Sequence, residues 1–173
     1  YSEIHSLKQK DYLLWKMRLM SKEFNFANSP YIFDTYDKRT KKIYHHVKIN
    51  CSNKKKLEGY YKIFYKNGRK LITNEILEQL TPRGLAYWIC DDGSYDNRQG
   101  YIVLCTNSYS LEEHELIQKF FIDRFGLKPT IGFRDKKYYY LRFKQDDSKK
   151  LIEIIKEFIP KGMEYKIGGI KHA

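Results

Sequence analysis

Apolar positions recur at three- and four-residue steps in some stretches of this chain and alternate with polar ones in others. Tyr12, Leu13, Met17, Met20 and Phe24 form one helical stripe, preceded by Ser6 and Gln9 at the spacing of a capping box. Leu116, Ile117, Phe120, Phe121 and Phe125 form another, behind Ser110 and Glu113 at the same spacing. Gly126 and Pro129 stop the second helix, and the first runs out through Asn25, Asn28 and Pro30. Alternation then predicts strands over 31–36 and 42–50 after the first helix, and over 129–133 and 137–144 after the second. Asp37-Lys38-Arg39 and Asp135-Lys136 supply the turns.

Each predicted hairpin leads into a further helix. Leu57, Tyr60, Tyr61 and Phe64 make the apolar stripe of one; Leu151, Ile154, Ile155 and Phe158 make that of the other, which Pro160 ends. Beyond each stands a lysine before an aliphatic residue, Lys70 before Leu71 and Lys166 before Ile167. The order helix, hairpin, helix, lysine thus occurs twice at an offset of about 100 residues, the mark of an internal duplication.

Between the copies lies a third helical pattern. Thr81 fits an N-cap and Pro82 the first helical position, Leu85, Ala86, Trp88 and Ile89 continue a buried face, and Gly93 fits the C-cap. Asp91 and Asp92 sit in the last turn, at the negative end of the helix dipole, where each carboxylate loses up to about 1 kcal/mol. Two readings stand: a surface Asp-Gly turn, or a divalent cation whose charge offsets both the dipole and the carboxylate repulsion.

Composition narrows the class. The 173 residues carry 33 Lys plus Arg against 21 Asp plus Glu, a net charge of +12, with 42% hydrophobic residues. That is enough apolar material for one core or two small lobes, and it excludes wholesale disorder. No apolar run approaches the roughly 18 residues of a membrane span, so no membrane partner is expected. Cys51, Cys90 and Cys105 lack paired zinc-ligand spacing and are expected to be reduced and buried. The abundance of Lys, Ile, Tyr and Asn suggests an AT-rich genome and an intracellular setting, in an organelle or a prokaryotic cytoplasm. The chain starts at Tyr1, inside a predicted strand, which suggests a fragment.

Charge also gives the hairpins a use. Tyr138, Tyr140, Arg142 and Lys144 share one face, with Tyr139, Leu141 and Phe143 toward the core. Tyr44, His46, Lys48 and Asn50 share another, with Ile43, Val47 and Ile49 beneath, and Tyr36 lies on the preceding strand. A two-stranded ribbon fits the major groove of DNA, and Arg39, Lys41 and Lys42 at one turn, with Arg134, Lys136 and Lys137 at the other, are placed for phosphates. An ordinary solvated sheet face is the alternative. His45 and His46 lack a third metal ligand, and alternation turns one of them inward.

The run Leu80-Thr81-Pro82-Arg83-Gly84-Leu85-Ala86-Tyr87-Trp88-Ile89-Cys90-Asp91-Asp92-Gly93 resembles the signature helix of the LAGLIDADG homing endonucleases, in the variant reading Leu-Thr-Pro, Leu-Ala-Tyr-Trp, Asp-Asp-Gly. The resemblance continues through Leu104-Cys105-Thr106-Asn107-Ser108, the helix from Ser110 and the terminal Met163-Glu164-Tyr165-Lys166. It is looser upstream, through His5, Gln9, Tyr12 and Trp15. It implies an α+β fold of two pseudo-symmetric lobes whose curved antiparallel sheets form a DNA-binding saddle backed by helices. The lobes are expected at 1–75, lacking its motif helix, and 76–173, with the motif helix over 81–92.

The same resemblance implies site-specific cleavage of double-stranded DNA. Asp92 is the metal-binding acid, Asp91 a secondary one, Lys70 and Lys166 lysines near the reacting phosphate, and Asn107 a polar residue near the attacking water. Arg98 and Gln99 join the DNA-facing sheet by the same analogy. Mg²⁺ is the expected metal, Ca²⁺ a non-cleaving substitute, and Mn²⁺ an alternative; two such ions suit in-line phosphodiester hydrolysis. Close crossing of two signature helices needs small residues, which Gly84 and Ala86 supply. This chain carries one such helix, so the second is expected from an N-terminal segment or another chain. Three rivals stay open: a maturase that binds intron RNA, a non-catalytic DNA-binding regulator, and a nuclease built on Glu164 and Lys166.

Overall fold

The alternating segments pair as their patterns require. In the computed structural model, which describes residues 1–26, 30–52 and 54–169, β1 (Ser2–Ser6), β2 (Tyr31–Asp37) and β3 (Lys42–Asn50) form an antiparallel sheet ordered β1-β3-β2. Asn28, named above as a helix stop, lies outside the described residues. The chain divides into two compact units, Tyr1–Tyr61 and Lys62–Ala173.

In the first unit α1 (Lys10–Met20) seats Leu13 against Val47 and Ile49, with Leu7, Met17 and Phe26 around them. The Ser6–Gln9 capping box does not form. Leu7–Gln9 is a 3-10 turn, Ser6 makes no side-chain cap bond, and the Gln9 amide bonds His5 Nδ1 at 3.0 Å instead. Ile43 is not core either, being 60% exposed. The 11 residues of α1 reach about 16 Å, whereas the nine of β3 reach about 30 Å, so the hairpin tip outruns the helix. In α2 (Lys54–Phe64), Tyr60 and Tyr61 are about half exposed, so the predicted stripe is only partly buried.

Beneath this sheet Glu3, His5 and Lys16 form a cluster whose side chains are 11–12% exposed. Burial pushes the Glu3 carboxyl up, but hydrogen bonds from His5, Lys16 and Tyr1 outweigh it and hold the pKa at about 2, against an ordinary 4.5. A depressed folded pKa gives stability that is complete above the unfolded value and lost as pH falls toward the folded one. The stability gap between wild type and Glu3→Gln should therefore close as pH falls between about 4.5 and about 2, and should also narrow as pH rises through the titration of His5, whose imidazolium burial disfavours but Glu3 holds above its ordinary 6.5. Urea melts across that range measure it; a gap that stays constant down to the acid end would contradict the cluster's role.

The second unit opens with a two-stranded ribbon, β4 (Tyr65–Lys66) and β5 (Arg69–Lys70), joined by Asn67 and Gly68, both at positive φ. A short helix α3 (Asn74–Glu78) and the signature helix α4 (Pro82–Asp92) follow. Then β6 (Gly93–Asp96), β7 (Tyr101–Leu104), α5 (Leu111–Phe125), β8 (Thr130–Arg134), β9 (Tyr138–Phe143) and α6 (Gln145–Ile155) complete it. The sheet runs β6-β7-β9-β8, all antiparallel. Its part β7-β9-β8 repeats the order β1-β3-β2, with α5 and α6 at the chain positions of α1 and α2, which is the duplication read from the pattern.

Leu85 and Ile89 of α4 pack with Ile102, Leu104, Ile117, Leu141 and Leu151 in one core, where Phe121 meets Phe143 edge-on at 4.8 Å. Ser110 and Glu113 form the full capping box of α5, and Gly126 ends it in the left-handed conformation. Cys51 and Cys90 are buried thiols as expected, while Cys105 is half-buried. Ala86 is fully buried in this same core rather than held open for a second helix. No helix among the described residues is long and apolar enough to cross a membrane.

Candidate functional site

Helix α4 is built to end where its two acids stand. Thr81 Oγ1 accepts the Gly84 N–H at 3.2 Å and Pro82 takes the first helical position. The last turn carries no basic residue. Gly93 does not take the left-handed cap expected of it: its backbone is extended (φ −82°, ψ 153°) and enters β6 directly. Glycine is needed for room, because a Cβ there would lie 2.4 Å from the Ile89 carbonyl oxygen. The Cys105 N–H then donates to the Asp92 carbonyl at 2.9 Å and fixes the exit.

The Asp92 side chain is exposed to solvent yet electrostatically confined. Partial desolvation, and then the neighbouring Asp91 carboxylate, push its carboxyl above the ordinary value, while Lys70, the Trp88 indole and Lys166 pull it back. Lys166 lies on the 3-10 turn Glu164–Ile167, half-buried, and its Nζ donates to the Gly93 carbonyl at 2.7 Å. Burial lowers its ammonium pKa, against the opposing pull of Cys90, Asp91, Asp92 and Cys105. Lys70 lies on β5 with its Nζ over the Tyr109 ring, 5.9 Å from the centroid. Burial raises the Tyr109 phenol, with Lys70 opposing. The two lysines that the repeat pairs by order therefore act on the same carboxylate.

Asn107 stands elsewhere in this network: its Oδ1 accepts from Arg134 at 3.4 Å. Glu164 accepts the Gly162 N–H at 2.7 Å, a use within its own turn. Chemically, two adjacent carboxylates at the negative end of a helix offer hard oxygen donors, and a dication there would offset both influences that raise Asp92. The residues fit a divalent metal.

The basic faces form as alternation predicts, with differences at their edges. In the first unit Tyr44, His46 and Lys48 lie opposite the buried Val47 and Ile49, and a near-parallel stack Tyr31–Phe33–His46 runs across the strands at 5.5 and 5.2 Å. Tyr36 pairs with Ile43, so it shares the opposite face from Tyr44. Lys42 begins β3, Lys41 has φ 54° in the turn, and Arg39 is 86% exposed beside Asp37. Both histidines are used inside the hairpin: His45 shares the face of Val47, as alternation requires, but stays exposed toward the tip and bonds Asp34, and His46 on the other face bonds Thr35, each at 2.7 Å.

In the second unit the outward face carries arginines held by tyrosines. Arg142 lies over the Tyr101 ring at 5.7 Å, Arg134 over Tyr140 at 5.9 Å, and Lys137 over Tyr138 at 5.0 Å. Tyr140 lies flat across Gly132, where a Cβ would come within 2.2 Å of the ring. Lys136 is in the left-handed turn and Lys144 is the N-cap of α6, just past the strand. Arg98 and Gln99 are not on a strand: they form the β6–β7 turn, their N–H groups donating to Asp96 Oδ1 at 2.8 and 3.0 Å.

An acid-tipped helix flanked by two lysines, on a scaffold that offers basic, aromatic sheet faces, is an arrangement suited to a polyanionic phosphodiester. Comparison with known proteins agrees. Residues 2–151 match the model of the LAGLIDADG DNA endonuclease family. The chain is 38% identical over 112 residues to intron-encoded endonuclease ai4 of Dictyostelium discoideum, covering 62% of this chain and 68% of that protein. It is 32% identical over 111 residues to cytochrome b mRNA maturase bI2 of Debaryomyces hansenii, covering 62% of this chain but 41% of that one. The solved structure of the homing endonuclease I-WcaI bound to its DNA recognition sequence shares the fold, with a TM-score of 0.78 at 22% identity over 96% of this chain and 74% of that one. The chain belongs to the LAGLIDADG DNA endonuclease family.

Several residues that shape the site carry no label in the sequence. Trp88 could have been found, since it stands four positions before Asp92 on one helical face. Tyr109, Tyr101 and Gly132 could not, because their partners Lys70, Arg142 and Tyr140 are brought to them by tertiary packing or strand register.

Proposed function

We propose that this chain is an intron-encoded homing endonuclease segment that cleaves double-stranded DNA with a divalent metal held at Asp92, Asp91 being the neighbouring donor. The observation that carries the reading is the end of α4, where Asp91 and Asp92 stand with no basic residue in the last turn and Lys166 is fixed on the next carbonyl, that of Gly93, at 2.7 Å. The metal, when bound, supplies charge for the phosphate oxygens and polarises water. Lys166, partly desolvated, is suited to orienting water or offsetting phosphate charge; Lys70, more open, faces the same charge from β5. Arg142 and Arg134, held over tyrosine rings, are the side chains best prepared to read guanine, and Lys41, Lys42, Lys136 and Lys137 the ones placed for phosphates. Asn107, tied to Arg134, sits with this DNA-reading group. Repeat lobes at 1–75 and 76–173 and a second signature helix from another segment or chain complete the proposal, as does action on organellar or prokaryotic DNA.

The likeness to the maturase from Debaryomyces hansenii supports a second reading, intron RNA binding that assists splicing. One experiment separates them. The protein is incubated with a duplex spanning the site where its coding element is inserted, with Mg²⁺, Ca²⁺ or EDTA. Cleavage is expected with Mg²⁺ and removed by EDTA, with binding but no cutting in Ca²⁺. Intact duplex in Mg²⁺ together with accelerated splicing of the cognate intron RNA would establish the maturase instead.

A further inference from the structure

Glu113 does more than cap its helix. The capping box accounts for one of its bonds, Oε2 accepting the Ser110 N–H at 2.7 Å. Its other bonds leave α5: Oε1 accepts the Ile72 N–H at 3.1 Å, and the Arg69 guanidinium forms an ion pair with Oε2. Arg69 and Ile72 bracket Lys70. Glu113 is buried, 8% exposed, so its charge needs every one of these partners. The segment needs it in turn, because β4 and β5 have two residues each and a two-stranded ribbon of that length does not hold itself. Tyr109, one residue before the cap, offers its ring to Lys70.

We propose that Glu113 is the positioning residue for Lys70: it clamps residues 69–72 to the start of α5 and so presents the Lys70 ammonium to the Asp92 carboxylate. Burial alone does not explain this arrangement, since a cap glutamate needs only its own helix end. The role in cleavage rests on the nuclease reading of Asp92, Lys70 and Lys166; the clamp itself does not.

The test has two arms on the intact protein. In the first, amide hydrogen exchange is compared between wild type, Glu113→Gln and Arg69→Gln, the last leaving the cap untouched on a largely exposed side chain. Both variants should lose about 10-fold protection at the Leu71 and Ile72 amides while Ile117 and Phe121 in α5 keep theirs. Unchanged protection at 71–72, or loss confined to α5, overturns the clamp. In the second, single-turnover cleavage of the insertion-site duplex in Mg²⁺ is measured for Glu113→Gln, Lys70→Met and the double variant. Glu113→Gln should slow cleavage about 10-fold alone and add nothing when Lys70 is already Met. Multiplying effects would overturn the positioning role, because Glu113 would then act independently of Lys70. A wild type that cuts nothing would overturn the nuclease reading, and the exchange arm would then decide the clamp by itself.

Discussion

Asp92→Asn should lower the single-turnover cleavage rate by about 10³-fold or more while leaving the protein slightly more stable at neutral pH. The two halves have one cause. The Asp92 carboxyl is raised by desolvation and by Asp91, so its ionised form is disfavoured in the folded, metal-free protein. An acid whose folded pKa is raised destabilises the fold above that pKa, and the penalty fades as pH falls and the group protonates. The amide isostere removes that penalty, together with the charge that would hold a metal. Because the side chain is exposed, solvent screening keeps the gain below about 1 kcal/mol. Thermal melts without and with Mg²⁺ make the test sharper: Mg²⁺ should raise the melting temperature of wild type and not of the variant. A variant that melts lower than wild type without metal, or that still cuts at a comparable rate, would refute the account of this helix end.

Gly93→Ala should cost about 1–3 kcal/mol and reduce cleavage about 100-fold. The methyl group would arrive 2.4 Å from the Ile89 carbonyl oxygen and 2.9 Å from Ile89 Cγ2, so the last turn of α4 or the start of β6 has to move. That junction also carries the carbonyl that Lys166 grips at 2.7 Å, so the movement reaches both the acid and the lysine. Trimming Ile89 should not rescue the variant, since the nearest obstacle is backbone rather than side chain. Urea unfolding and the same cleavage assay read the two effects. Wild-type stability in Gly93→Ala would mean the junction is looser than its geometry indicates.

Much of this was legible in residue order. Strands 42–50 and 31–36, helix 81–92 and the box at Ser110 are set by local pattern, so periodicity finds them nearly to the residue. What local pattern could not supply was competition for the same groups. Ser6 and Gln9 have the spacing of a cap, yet His5 takes the glutamine, and nothing in the spacing reveals it. Ile43 alternates correctly and still lies outside the core, because burial depends on how far α1 reaches along the strand. At the candidate site the acid and both lysines were found by motif and repeat. The clamp on Lys70 was not, since the Arg69–Glu113 pair spans 44 residues.

On the proposed reading of this sheet face as the one that meets DNA, the pairing of Tyr140 with Gly132 bears on any effort to redirect the protein to new target sequences. The tyrosine ring occupies the volume that a side chain at position 132 would need, so the two sites cannot be randomised independently. Libraries that vary the face one position at a time would discard sound solutions as misfolded; those that exchange 132 and 140 jointly, with 134 as the third member, would sample the combinations the strand register permits.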